Sequence, residues 1–211
     1  MDELTPIVTR AQKGDLHAFD ELVRRFEVAD ALIERGADPS GDYPGGNFGP
    51  ILLAACEFLN PDGIRYLVEQ GARVNIPERD TAYTPCNPRL KMVLGTYDRR
   101  TDRRHACLDV LLEKGAEYDD GPFLDIMRGD VGRLSSRIDE DAGLATTSCS
   151  CEFANYLSFS GVTLLHLAAE FNEREVVDHL LDRGADLNAT AELDDRGIGS
   201  QTPLFHVIGN K

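Results

Sequence analysis

Thr163-Leu164-Leu165-His166-Leu167-Ala168-Ala169, followed after a polar break at Asn172 by Val176-Val177-Asp178-His179-Leu180-Leu181-Asp182-Arg183-Gly184-Ala185-Asp186-Leu187-Asn188, is the stretch that decides the fold. It predicts two short helices. Leu165, Ala168 and Ala169 share one face of the first, and Val177, Leu180 and Leu181 share one face of the second. Gly184 stands where the second helix would close in a left-handed residue, a conformation that only glycine adopts cheaply.

The end of this phrase recurs. Leu32-Ile33-Glu34-Arg35-Gly36-Ala37-Asp38, Leu67-Val68-Glu69-Gln70-Gly71-Ala72-Arg73 and Leu111-Leu112-Glu113-Lys114-Gly115-Ala116-Glu117 repeat it, with Ala29, Ile64, Leu108 and Val177 seven positions before each glycine. A helix so spaced buries one stripe and shows its charges to water. Gly36 to Gly71 is 35 residues, Gly71 to Gly115 is 44, and Gly115 to Gly184 is 69, so a further copy falls in 121–145. There Gly121-Pro122-Phe123-Leu124-Asp125-Ile126 opens a helix with proline at its first position, and Val131, Leu134 and Ile138 give a second stripe. Other openings are Gly49-Pro50-Ile51-Leu52-Leu53-Ala54-Ala55, Pro88-Arg89-Leu90-Lys91-Met92-Val93 and Thr202-Pro203-Leu204-Phe205-His206-Val207, with 98–104 expected as a loop between helices.

These phrases resemble the ankyrin repeat, with its signature Thr-Pro-Leu-His-x-Ala and period of about 33 residues; Leu164 replaces the proline. The resemblance implies an all-α fold, an irregular α-solenoid of about five to six ankyrin repeats, each a helix-turn-helix with a hairpin loop. The repeat domain is expected to span 27–211, its last repeat incomplete, behind a helical N-terminal cap over 1–26. Residues 7–26 also resemble the opening helix pair of bacterial extracytoplasmic-function sigma factors, which implies a bacterial source. As a cap, Ala18, Leu22, Val23 and Phe26 would cover the first repeat.

The formal net charge of −15 argues against nucleic-acid and anionic membrane partners and favours a partner protein with a basic patch. No apolar run reaches membrane-span length, Met1-Asp2-Glu3 is no secretory start, and five cysteines form no disulfide framework, so a cytoplasmic monomer is expected. Cys107 reads as a small core residue. Cys149-Ser150-Cys151 pairs two thiols, but zinc wants four ligands and no second pair stands nearby. In the ankyrin resemblance His166 bonds backbone of the neighbouring unit; in the last unit Phe205 takes that place and His206 is shifted by one, so the network should break there. His17, His105 and His179 lack a nucleophile motif, Asp139-Glu140-Asp141 lacks calcium-loop spacing, and the glycines of 45–50 lack a phosphate-loop lysine. No cofactor, metal or catalytic role is expected.

A stacked array presents a stiff face of first helices and fingers that suits protein binding. The binding residues expected on fingers are Asp42, Tyr43, Phe48, Arg79, Asp80, Tyr83, Asp194, Asp195 and Arg196, and on first helices Glu57, Phe58, Glu170 and Phe171. Exposed aromatics and arginines commonly carry interface energy. The insertions 75–87 and 146–160 are expected to line the partner site. An alternative is a transcription-linked adaptor touching RNA polymerase through the N-terminal helices; an enzyme would need a deep polar pocket, and an acidic mimic of nucleic acid rests on net charge alone.

Overall fold

The computed structural model describes residues 26–41, 51–75, 93, 96, 98–118, 120–153, 157–193, 197 and 199–209. Of the expected cap over 1–26, all but Phe26 lies outside them, and so does its polymerase contact. The described chain is mostly helical. In order it runs α1 (Glu27–Ile33), α2 (Ile51–Glu57), α3 (Pro61–Glu69), α4 (Thr101–Glu113), α5 (Pro122–Met127), α6 (Val131–Glu140), a 3-10 turn (Ala142–Ala145), β1 (Cys149–Phe153), β2 (Leu157–Val162), α7 (Leu164–Glu170), α8 (Arg174–Asp182) and α9 (Pro203–Gly209).

These elements form helix pairs because no single helix here can hide its own stripe. Helix α2 packs on α3, α5 on α6 and α7 on α8, while α3 meets α4 and α7 meets both α5 and α9. One continuous apolar core runs through them, from Leu52 and Ile64 through Leu108, Ile126 and Leu134 to Leu165 and Leu180. Cutting such a fully buried leucine to alanine costs about 2–5 kcal/mol. Cys107 is fully buried within it, where burial pushes the thiol up to about 12. Helix α1 contributes no fully buried residue, and Val28, in line with Cys107 in the sequence, is exposed. It meets α3 through Phe26, stacked on Tyr66 at 4.3 Å, and through the Tyr66 hydroxyl, which donates to Asp30 at 2.7 Å.

The recurring Gly-Ala closes each second helix in the same way. At Gly36, Gly71, Gly115 and Gly184, φ lies between 85° and 98°. The glycine N–H reaches back to the third residue before it and the following alanine N–H to the fifth before it, as in Gly184 to Leu181 and Ala185 to Leu180. Two orphan carbonyls of the last turn are thereby satisfied.

Two expectations are amended. Residues 101–104 are not loop; they form the first turn of the 13-residue α4, because the side chains of Arg103 and Arg104 are buried against neighbouring units. Nor is the fold wholly helical. Within the 146–160 insertion and just past it, β1 pairs antiparallel with β2, matching Cys149 with Val162 and Phe153 with Leu157. The Cys149 thiol donates to the Val162 carbonyl at 3.1 Å. The opening expected over 88–93 is described only at Val93, which is helical and buried.

Candidate functional site

Side chains tie each unit to the next. Four residues after Gly36, the Ser40 hydroxyl donates to the Gly71 carbonyl at 3.4 Å and accepts the Arg73 N–H at 2.9 Å. Four residues after Gly71, Asn75 does the same: its amide donates to the Gly115 carbonyl at 2.8 Å and accepts the Glu117 N–H at 2.9 Å. His166 provides a third tie. Its Nδ1 accepts the Thr163 N–H at 3.1 Å, which leaves Nε2–H to donate to the Gln201 carbonyl at 3.0 Å. Burial lowers the pKa of this imidazole and favours the neutral ring these bonds require. Beside it Ala191 pairs with Ser200 and Gln201, and the Glu192 N–H donates to Ser160 of β2 at 3.1 Å. The segment after α8 thus runs alongside the inserted hairpin as a finger. Gly161 permits the approach: its φ is +61°, and an added Cβ would stand 2.2 Å from the Glu192 side chain.

At the opposite end of the helix pairs, the turns between first and second helices share one backbone. In α2–α3 the amides of Phe58, Leu59 and Asn60 bond to Ala54, Cys56 and Ala55. In α7–α8 those of Phe171, Asn172 and Glu173 bond to Leu167, Ala169 and Ala168, and Arg128, Gly129 and Asp130 follow suit in α5–α6. The middle residue is left-handed each time: Leu59 at 46°, Gly129 at 63° and Asn172 at 58°.

Residues 96 and 98–104 lie across these turns like a strap. The Thr96 hydroxyl donates to the Glu57 carbonyl at 2.7 Å, and the Arg103 Nε donates to the Leu59 carbonyl at 2.8 Å. Other side chains of the same stretch reach the α7–α8 turn, past the α5–α6 turn. Arg99 meets Glu170 at 2.5 Å, and Arg104 ion-pairs with Glu173 and donates to the Phe171 carbonyl at 2.7 Å. The two guanidinium carbons lie 5.1 and 5.3 Å from the centre of the Phe171 ring, a favourable cation–π arrangement. His105 adds a 2.7 Å contact to Glu173, and Arg104 also reaches the Met127 carbonyl at 3.3 Å. Arg104 is 0% exposed. Burial lowers its pKa and Glu173 opposes the shift; as an arginine it stays charged at neutral pH.

These contacts revise the expected binding residues. Glu170 and Phe171 are 4% and 1% exposed, so they do not form an outward face; arginines from the strap cover them. Glu57 and Phe58 are exposed, Phe58 at 71%. Asp42, Tyr43, Phe48, Arg79, Asp80, Tyr83, Asp194, Asp195 and Arg196 lie outside the described residues. The expected break at the last unit takes a different form. Phe205 is indeed exposed, but His206 turns inward, where Nδ1 meets Glu170 at 2.9 Å and the ring stands edge-on to His166. The sequence signal for this was present: Glu170 closes one first helix and His206 lies in the middle of the next. Between α3 and α4 there is also an open cleft of about 580 Å³, lined by Asp62, Asp102 and Asp109 together with Arg65 and Arg103. Among the described residues no group of three histidines, cysteines or carboxylates is placed to hold a metal ion.

Residues 160–192 match the family model of the ankyrin repeat. The match spans the end of β2, the α7–α8 pair and the start of the finger. No curated protein matches the chain. Among solved structures, the crystal structure of the human ASB11 ankyrin repeat domain is similar at 20% identity with a TM-score of 0.42, over 96% of this chain and 76% of that one.

Proposed function

We propose that the chain is a non-catalytic protein-binding module of stacked ankyrin-type units. The reading is supported most by the repeated ties between units, Ser40 to Gly71, Asn75 to Gly115 and His166 to Gln201, each made by a side chain to the backbone of the next unit. Units pinned in this way hold their exposed edge in one arrangement before a partner arrives, so little ordering cost remains at binding. The partner surface comprises the finger residues Asp42, Tyr43, Phe48, Arg79, Asp80, Tyr83, Asp194, Asp195 and Arg196, together with Glu57 and Phe58 at the turn edge. A net charge of −15 selects a partner with a basic contact patch.

The test begins with a partner captured from the native host, identified, and reassembled with the chain from purified components. Calorimetry then compares the parent with Tyr83→Ala and Phe58→Ala. Truncating an aromatic anchor is expected to weaken binding about tenfold or more. Full affinity in all finger and edge variants would overturn the assigned surface, and a purified complex formed by no protein at all would overturn the binding role.

A further inference from the structure

The turn after α2 and the turn after α7 carry the same two residues in the same place. Glu57 and Glu170 each close the first helix, and Phe58 and Phe171 each follow in the turn. The three amides that build the turn make the same hydrogen bonds in both, and the next residue is left-handed in both. Their surroundings differ. At the second turn the pair is occupied: Glu170 holds the Arg99 guanidinium at 2.5 Å, and the same guanidinium lies over the Phe171 ring at 5.1 Å. At the first turn both side chains face solvent, and among the described residues neither meets a cation.

We infer that Glu57 and Phe58 form a docking point for an arginine side chain of a partner segment, the open counterpart of the site where Glu170 and Phe171 hold Arg99. This rests on the protein-binding reading and adds to it the chemistry of one contact. Arginine is the residue selected, because a planar guanidinium can lie on a ring face while its edge donates to a carboxylate; a lysine ammonium offers no such plane. The Glu57 carbonyl already accepts the Thr96 hydroxyl at 2.7 Å, which fixes the backbone beneath the pair. The acidic balance of the chain favours the approach of a basic segment.

The probe is acetyl-Ala-Ala-Arg-Ala-Ala-amide, titrated into the whole chain carrying labelled phenylalanine rings, with the lysine peptide as comparison. The Phe58 ring signals should move with the arginine peptide and move less with the lysine peptide. Glu57→Gln and Phe58→Leu should each weaken the arginine peptide about three- to tenfold, the range expected of one exposed cation–π or ion-pair contact set. Both positions are exposed, so the variants should keep the parent circular dichroism. Phe58 signals that stay still at millimolar arginine peptide, or that respond equally to lysine, would overturn the site. If a purified partner still binds in that case, the docking point is wrong and the binding role stands.

Discussion

Glu173→Ala tests the junction between strap and array. Glu173 is the carboxylate facing Arg104, and it also meets His105 at 2.7 Å. Removing it leaves a guanidinium at 0% exposure held only by the Phe171 and Met127 carbonyls and the Phe171 ring. Breaking one side of a buried ion pair costs about 3–5 kcal/mol. The remaining carbonyls and ring place this case near the lower end, at about 3 kcal/mol. For a chain of this length that corresponds to a loss of about 6–12 °C in melting temperature. Arg104→Met removes the charge instead and keeps most of the packing, leaving Glu173 with His105. The double variant should therefore cost less than the two single changes together, with a coupling of about 2 kcal/mol. Urea denaturation of the four proteins supplies the cycle, and hydrogen exchange supplies the location. In Glu173→Ala, exchange should rise in α4 and α5 as well as in α8. Single variants within about 1 kcal/mol of the parent, or zero coupling, would show that the pair does not hold these units together.

Gly115→Ala should cost about 1–2 kcal/mol in a chemical melt, because φ is +85° and an added Cβ meets no atom within 4 Å, leaving backbone strain as the whole effect; an unchanged midpoint would refute it. Cys107, fully buried with its thiol pushed up to about 12, should resist iodoacetamide at pH 8 in the native protein and react after unfolding, as read by peptide mass mapping. Native labelling at the rate of a free thiol would contradict the burial. His166 has its pKa lowered by burial, so below the ordinary value of 6.5 the unfolded chain takes up a proton that the folded one refuses. Its contribution is therefore intact above pH 6.5 and fades as pH falls from there toward the lowered folded value; His166→Gln should flatten that part of the stability–pH curve.

The helix pairs were legible because local chemistry specifies them. Glycines at fixed offsets demand left-handed caps, and paired aliphatics demand a neighbour. The strap was not legible, because its contacts join residues about seventy apart in sequence, Arg99 with Glu170 and Arg104 with Glu173. No periodicity marks such a pair, and a run of arginines reads equally well as solvated loop. The same blindness misplaced Glu170 and Phe171: their repeat position suits an exposed edge, and the distant Arg99, Arg104 and His206 help bury them. His206 was read by its offset from the repeat histidine position, whereas its contact to Glu170 depends on how α9 lies against α7.

In an array whose units touch only their neighbours, stability passes down the line and a poor member is a weak point. Here the α5–α6 pair is such a member: its first helix is six residues long, and its second ends without the Gly-Ala closure. By joining the units on either side of it, Arg99 and Arg104 act as a splint. A splinted unit does not have to hold its neighbours by its own contacts alone. Opening of the α5–α6 pair is thereby coupled to α4 and α8, because the Met127 carbonyl must leave Arg104, which Glu173 also holds.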